Sequence, residues 1–174
     1  GEYIYGYDDL YRLTSAVNPD LDDEAYTYDP LGNRLTDANK PGVWGYNDNN
    51  QLQGYDNVSY SYDANGSMTG RTENGQTTTY AYGDAGRLRQ VLAPGNSTIA
   101  DYYYDPFGRR LWKDVAGQRT YFVYSDEGLA GELDAAGAAV RTYGYKPGIT
   151  WMTDPLFVRD SSDNYFFYQN DHLG

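Results

Sequence analysis

The stretch Tyr102–Leu111, YYYDPFGRRL, decides how this chain is read. Tyr102 and Tyr104 stand two residues apart, a spacing that puts both rings on one face of a strand. Asp105-Pro106 followed by Gly108 is turn chemistry, because proline presets φ and glycine accepts a positive φ. The stretch therefore reads as a strand, a turn and the start of a second strand, with Arg109 and Arg110 just beyond the turn.

The same phrase recurs along the chain. Taking the second aromatic of each pair as a marker gives Tyr7, Tyr28, Tyr46, Tyr62, Tyr82, Tyr104, Tyr124, Tyr145 and Tyr168. Their spacings run from 16 to 23 residues, a period that indicates a repeat architecture. Two residues before each marker sits its partner: Tyr5, Tyr26, Trp44, Tyr60, Tyr80, Tyr102, Phe122, Tyr143 and Phe166. An acidic residue follows the marker in Asp8, Asp29, Asp63 and Asp105, and comes one position later in Asp84 and Asp126. Glycine stands four after it in Gly32, Gly66, Gly86, Gly108 and Gly128, and an apolar residue six or seven after it in Leu13, Leu35, Leu52, Met68, Leu88 and Leu111.

A second turn signal divides most units. Asn74-Gly75 is the strongest hairpin signal in the chain. Ala116-Gly117, Ala136-Gly137 and Asp163-Asn164 occupy comparable places, and Pro94-Gly95-Asn96 serves in a longer loop. Each unit is thus two short strands and two tight turns. Nine units predict about 18 strands, spanning on the order of 85 Å at the usual strand spacing. Open sheets rarely pass about 10 strands without curling, splitting or flattening. The expected fold is all-β: one array over residues 1–174, a long antiparallel meander of hairpins coiling into a spiral or shell. The aromatic pairs of successive units are expected to form a ladder on one face. The second and third units are shorter and more acidic, and Asn47–Asn50 replaces the Asp-x-x-Gly turn by an Asn-rich one. The apolar segment Ile149–Arg159 fits either a longer strand or a loop packed on the sheet.

Composition agrees with this and narrows function. With 21 Tyr against 5 Phe and 3 Trp, tyrosine is the main core material, and its hydroxyl needs a partner or water. A net charge of −12 argues against nucleic acid and anionic membrane surfaces as partners. No apolar run approaches the roughly 20 residues of a spanning helix, and Gly1 opens no secretory signal; the first residues already follow the repeat, so the chain is expected to begin in mid-protein. The absence of cysteine removes disulfides and thiolate metal sites.

Candidate sites are few. His172 is the single histidine, leaving triads and histidine-based metal clusters little to work with. The acidic run Asp20–Glu24 offers oxygen ligands for Ca²⁺ but lacks the loop order of a dedicated site, and a solvated turn explains it better. Asp48–Asn50 and Asp160–Asp163 are read the same way. Asn57, Asn65 and Asn96 each open an N-glycosylation triplet that carries little weight in so Asn-rich a chain. Arg109 and Arg110 are expected to pair with neighbouring Asp residues across the sheet or to cover Tyr rings.

The segments AYTYDPLGNRLTDA, SYSYDANGSMTG and YAYGDAGRL, with the long run from Tyr102 to Tyr145, resemble the YD repeats of Rhs-family proteins. The closing YFFYQNDHLG resembles the phrase that opens the Rhs core region. The resemblance implies a sheet spiralling into a hollow shell, as in polymorphic toxins, insecticidal toxin complexes and teneurins. It implies a wall segment of a larger secreted or cell-surface bacterial protein that encloses a C-terminal toxin or effector. The family's autoproteolytic residues lie beyond this stretch, so no catalytic residue, cofactor or metal is expected here and the chain is not expected to be an enzyme. Two other readings stand beside it. Aromatic repeats of this length also build glycan- or cell-wall-binding modules, although the three Trp are scattered here. Exposed sheet edges would also suit adhesion, self-association or filaments.

Overall fold

The computed structural model describes residues 2–40, 42–148 and 150–169. His172 and the end of the closing phrase lie outside them. Among the described residues there are strands and turns and no helix. The chain divides into two compact units, residues 1–80 and 81–174.

In the first unit, β1 (Ile4–Tyr7), β2 (Leu13–Val17), β3 (Glu24–Tyr28) and β4 (Arg34–Asp37) form a four-stranded sheet in chain order. A second sheet begins with β5 (Gly45–Tyr46), β6 (Leu52–Tyr55), β7 (Val58–Tyr62), β8 (Met68–Glu73) and β9 (Gln76–Tyr82). Its later members are β10 (Leu88–Leu92), β11 (Thr98–Tyr104), β12 (Arg110–Val115), β13 (Gln118–Tyr124), β14 (Leu129–Leu133), β15 (Ala139–Gly144), β16 (Phe157–Asp160) and β17 (Tyr165–Phe167). These 13 strands also follow one another in chain order, so the antiparallel meander expected from the repeats is the observed topology.

Two kinds of turn connect the strands, and each follows from its residues. Asn74-Gly75 and Ala116-Gly117 are two-residue loops with both residues at positive φ, closed by the pairs Glu73↔Gln76 and Val115↔Gln118. That twist matches the right-handed twist of the flanking strands. The repeat corner is longer. At Asp105 the amide donates to the Arg109 carbonyl at 2.9 Å, and the Gly108 amide donates back to the Asp105 carbonyl at 3.0 Å. This is the three-residue hairpin loop, a turn followed by a left-handed residue that bulges the strand. The bulge is visible in the register, where Tyr104 pairs with Arg110 after a shift beginning at Tyr103. The same shift precedes Tyr7, Tyr28, Tyr46 and Tyr62.

The half-unit turns fall where the sequence reading places them, and two of them take a different form from Asn74-Gly75. Ala136-Gly137 and Asp163-Asn164 are not two-residue turns of the Asn74-Gly75 kind. Asp134–Ala138 and Asp160–Asn164 close with the corner pattern instead, amide to carbonyl in both directions. An aspartate heads each of these two and accepts turn amides on its side chain, while Ala93–Ser97 closes with the same backbone pattern without one. The apolar segment after Tyr145 is resolved as a loop followed by a short strand. Trp151 and Met152 donate their amides to the carbonyls of Asp126 and Glu127, and β16 starts only at Phe157.

Very little is buried. Ala16, Trp44, Val58 and Ala100 are the buried hydrophobic residues among those described, and no large side chain is fully enclosed. Trp44 is the nearest thing to a core centre in the first unit. It stacks on Tyr55 at 4.6 Å, lies under the Arg34 guanidinium at 4.5 Å, and its amide bonds the Leu35 carbonyl at 2.8 Å. Stability must therefore come from many neighbour-to-neighbour contacts, as in repeat proteins generally.

The left-handed corner position gives a direct test. Gly32 holds it at φ 92°, and a Cβ there would meet nothing within 4 Å, so Gly32→Ala should cost about 1–2 kcal/mol through backbone strain alone. Tyr11 occupies the equivalent position at φ 62° with its side chain 90% exposed, and Tyr11→Gly should raise stability. Urea melts of the two variants are expected to move in opposite directions.

Candidate functional site

The recurring chemical unit is the corner, and its aspartate does more than terminate a strand. Asp8 accepts the amides of Leu10 and Arg12 on Oδ1, both at 2.9 Å, and the Arg12 Nε on Oδ2 at 2.7 Å. Asp29 repeats this with Leu31, Asn33 and the Asn33 side-chain amide. Asp63, Asp134 and Asp160 bind the corresponding pair of amides in their own corners. The Asn-rich corner at Asn47 is built the same way, because the Asn47 Oδ1 accepts the amides of Asn49 and Gln51. Asn50 then takes the glycine's place at φ 57°. The Asp of the motif is thus an acceptor for two otherwise unpaired backbone donors.

Charge follows from this geometry. The Arg12 amide, with the Arg12 guanidinium, holds the Asp8 carboxyl below the ordinary range. The Asn33 side-chain and backbone bonds do the same for Asp29, and those of Asn164 for Asp160. At Asp105, burial opposes ionisation but the Arg109 amide and guanidinium outweigh it, and the net direction is down. Arg109 pairs with Asp105 of its own corner at 2.5 Å rather than with an Asp across the sheet, and it lies over the rings of Phe107, Tyr124 and Trp151. Arg110 covers Tyr102 and Tyr104.

The marker tyrosine has an equally regular task. Tyr28 donates its hydroxyl to the Leu13 carbonyl at 2.6 Å, Tyr46 to Arg34 at 2.8 Å, and Tyr62 to Leu52 at 2.8 Å. In the second unit Tyr124 donates to Arg110 at 3.0 Å and Tyr145 to Leu129 at 3.1 Å. Each acceptor is the residue paired opposite the preceding marker, where the bulge has interrupted the ladder. The phenol reaches over that gap and satisfies the carbonyl. The bridge gives these five markers a reason to be tyrosine, whereas the first aromatic of a pair is also Trp or Phe.

The residue after the left-handed position ties successive corners together. The Arg12 Nη1 donates to the Asp29 carbonyl at 2.8 Å, the Asn33 Nδ2 to the Asn50 Oδ1 at 3.1 Å, and the Gln51 Nε2 to the Gly66 carbonyl at 3.3 Å. In the second unit the Arg87 guanidinium lies where a Cβ on Gly108 would stand, a second reason for glycine there. Sequence reading missed this link. Its signal is a polar side chain with an N–H donor five residues after the marker, as in Arg12, Asn33, Gln51 and Arg87.

The paired aromatics differ in burial between the middle and the ends of the array. Tyr26, Tyr28, Tyr46, Tyr60, Tyr62, Tyr80, Tyr82, Tyr102, Tyr104, Phe122, Tyr124, Tyr143 and Tyr145 are half-buried, and Trp44 is buried. Tyr5, Tyr7, Phe166 and Tyr168 are exposed. Gly66 and Gly86 hold left-handed corner positions, and Gly128 closes a corner one residue shorter. In the second unit the aromatics frame a cleft of about 390 Å³ beside Arg109 and Trp151. The Tyr124, Tyr143 and Tyr145 hydroxyls around it are engaged internally, and burial makes each harder to ionise. The cleft therefore presents ring faces, without a free base or nucleophile among these tyrosines. Asp20–Glu24 forms an exposed turn, and no group of three acidic or histidine side chains able to hold a metal is found among the described residues.

Comparison with known proteins follows this geometry. A family described as Teneurin YD-shell matches residues 1–143. Double-stranded DNA deaminase toxin A of Burkholderia cenocepacia (strain H111) is 32% identical over 115 residues, which are 64% of this chain and 8% of that protein. The crystal structure of TcdB2-TccC3-TEV superposes with a TM-score of 0.51 at 16% identity, covering 91% of this chain and 10% of that one. At that identity the likeness speaks for the fold.

Two measurements test the corner. The depressed carboxyls of Asp8, Asp29, Asp105 and Asp160 stabilise the fold fully above the unfolded value of about 3.9 and lose that contribution as pH falls through their lower folded values. The melting temperature should hold down to about pH 5 and fall below about pH 4, and Asp105→Asn, which keeps the amide acceptor as Asn47 does, should reduce the acid slope. Separately, Tyr62→Phe should cost about 1 kcal/mol in urea unfolding, because it leaves the Leu52 carbonyl without its phenol.

Proposed function

Since the chain belongs to the Teneurin YD-shell family, we propose that it is a section of shell wall, part of a longer secreted protein, that encloses and shields a toxin or effector polypeptide. The observation that carries this reading is the repeated corner. One backbone corner recurs along the chain, capped by aspartate at several places and by asparagine at Asn47, and tyrosine bridges join it to the next unit in five cases, so wall can be extended by hairpins without a central core. The deaminase toxin relative supports an association with toxins, although this chain spans only 8% of its length. In this role the wall works by geometry and exclusion and performs no catalysis. The corner carboxylates and the bridging phenols support this reading, since they are engaged in holding turns.

A second reading, pairing with another chain through sheet edges, has its own support. Strand β1 is an edge of the four-stranded sheet, and Ile4, Tyr5 and Tyr7 are 54%, 55% and 60% exposed. Such an edge is a template for strand addition.

Electron cryo-microscopy of a natural protein carrying this chain with its flanking sequence is the test. A hollow compartment walled by these hairpins and filled by another part of the polypeptide is expected. A solid particle without a compartment, or a filament joined through β1, would overturn the enclosure reading.

A further inference from the structure

Two Asn-Gly pairs occur in the sequence, Asn65-Gly66 and Asn74-Gly75, and both lie in exposed turns. The dipeptide carries a latent reaction, because glycine has no Cβ to keep its amide nitrogen from closing on the preceding side-chain carbonyl. The two turns hold that nitrogen differently. At the corner, the Gly66 amide donates to the Asp63 carbonyl at 3.0 Å. The Asn65 amide donates to the Asp63 Oδ1 at 2.9 Å, and the Gly66 carbonyl accepts the Gln51 Nε2 at 3.3 Å. Asn65-Gly66 is thus pinned along its backbone. At the two-residue turn, nothing among the described residues accepts the Gly75 amide, and the pair Glu73↔Gln76 closes the loop around it.

The neighbouring turn adds a donor. Asp56-Asn57 is the two-residue loop between β6 and β7, closed by the pair Tyr55↔Val58. The Asn57 carbonyl accepts the Asn74 amide at 3.3 Å, and the Asn57 Nδ2 donates to the Asn74 Oδ1. That oxygen takes up negative charge when a nucleophile adds to the side-chain carbonyl, and a donor already aimed at it stabilises the charge. Among the described residues no donor reaches the Asn65 side-chain oxygen. The fold itself does not call for asparagine at position 74. Ala116 fills the same place before Gly117 at φ 51°, and its amide likewise donates across, to the Ile99 carbonyl at 3.0 Å.

We propose that Asn74 is a self-modifying site, at which the hairpin of β8 and β9 converts its own turn. The Gly75 amide gives its proton to solvent base, and its nitrogen bonds to the Asn74 Cγ. The bond from Cγ to Nδ2 breaks, and ammonia leaves with a proton returned by water. Water then opens the resulting cyclic imide at either carbonyl, so each ammonia released consumes a water. One opening leaves aspartate, and the other leaves isoaspartate, whose main chain runs through the side-chain methylene. Either product adds a negative charge to the −12 of the chain, beside Glu73, whose carboxylate bonds Arg71 at 3.0 Å. Isoaspartate also lengthens a loop whose size fixes the register, and Glu73↔Gln76 is the first pair of the ladder to be lost. The chemistry depends on the turn alone and not on what the wall encloses.

The test is incubation of the folded natural protein carrying this chain at mildly alkaline pH, followed by tryptic peptide mapping. Cleavage at Arg71 and Arg87 isolates Thr72–Arg87 with Asn74 and leaves Asn65 in the preceding peptide. Conversion at Asn74 is expected to run about tenfold ahead of Asn65, the ratio set by a further backbone hydrogen bond that must break. In urea the two rates should come together, since both sites are then open chain. Asn57→Ala removes the donor and should slow conversion at Asn74 about threefold or more, whereas a merely structural loss would loosen the turn and speed it. Asn74→Ala, which copies Ala116, should keep its melting transition through an incubation that broadens the wild-type one. Equal rates at Asn65 and Asn74 in the folded protein, or an Asn74 that converts only in urea, would overturn the proposal. Faster conversion in the Asn57→Ala variant would overturn the role given to Asn57. An aged wild type that melts unchanged despite conversion would overturn the effect on the hairpin.

Discussion

A hairpin corner exposes backbone donors that neither strand can satisfy, and the rest of this structure depends on how that is met. A carboxylate placed just after the marker tyrosine takes two amides of the corner, and a residue in the left-handed region lets the chain turn back. That closure costs the next strand its register, because the bulge leaves one carbonyl out of the ladder. The following unit's tyrosine supplies the missing donor. Aspartate, glycine and tyrosine are thus three parts of one solution, and the motif is the shortest sequence that contains all of them.

This explains why the fold was legible from the pattern of Tyr, Asp and Gly. Position in the repeat specifies backbone geometry, and backbone geometry is what local chemistry encodes most directly. Where the pattern drifts, the geometry persists as long as the function of each atom is kept. Asn47 replaces aspartate because its Oδ1 accepts the same amides, and Asn50 replaces glycine because asparagine tolerates the left-handed region. The half-unit turns fall where the sequence places them, but their length was not legible. Ala136-Gly137 and Asp163-Asn164 lie in three-residue loops, as does Pro94-Gly95-Asn96, while Asn74-Gly75 forms a two-residue one.

The phenol bridges and the corner links were not legible in advance. Both join residues 10 to 17 positions apart in sequence, and, apart from the Asn33–Asn50 side-chain bond, their partners are backbone carbonyls, which carry no sequence signature. The path of the segment after Tyr145 was open for the same reason, since the bonds from Trp151 and Met152 end on the carbonyls of Asp126 and Glu127. Arg109 shows the limit from the other side. Its residue type suggested a charge partner, and the partner it has is the aspartate of its own turn, with Trp151 arriving from a loop that no repeat predicts.

A sheet stabilised this way has an unusual freedom. In a protein with one dense core, the inner residues are committed to packing. Here the buried hydrophobic residues among those described are four, and stability is spread over strand pairing, corners and bridges. The face opposite the tyrosine pairs is therefore released from structural duty. It can carry Ser and Thr in one unit and Tyr, Trp and Leu in the other without changing the strand order. Ser61 and Tyr103 hold the same place between the two rings of a pair, and nothing in the corner, the bridge or the register calls for either.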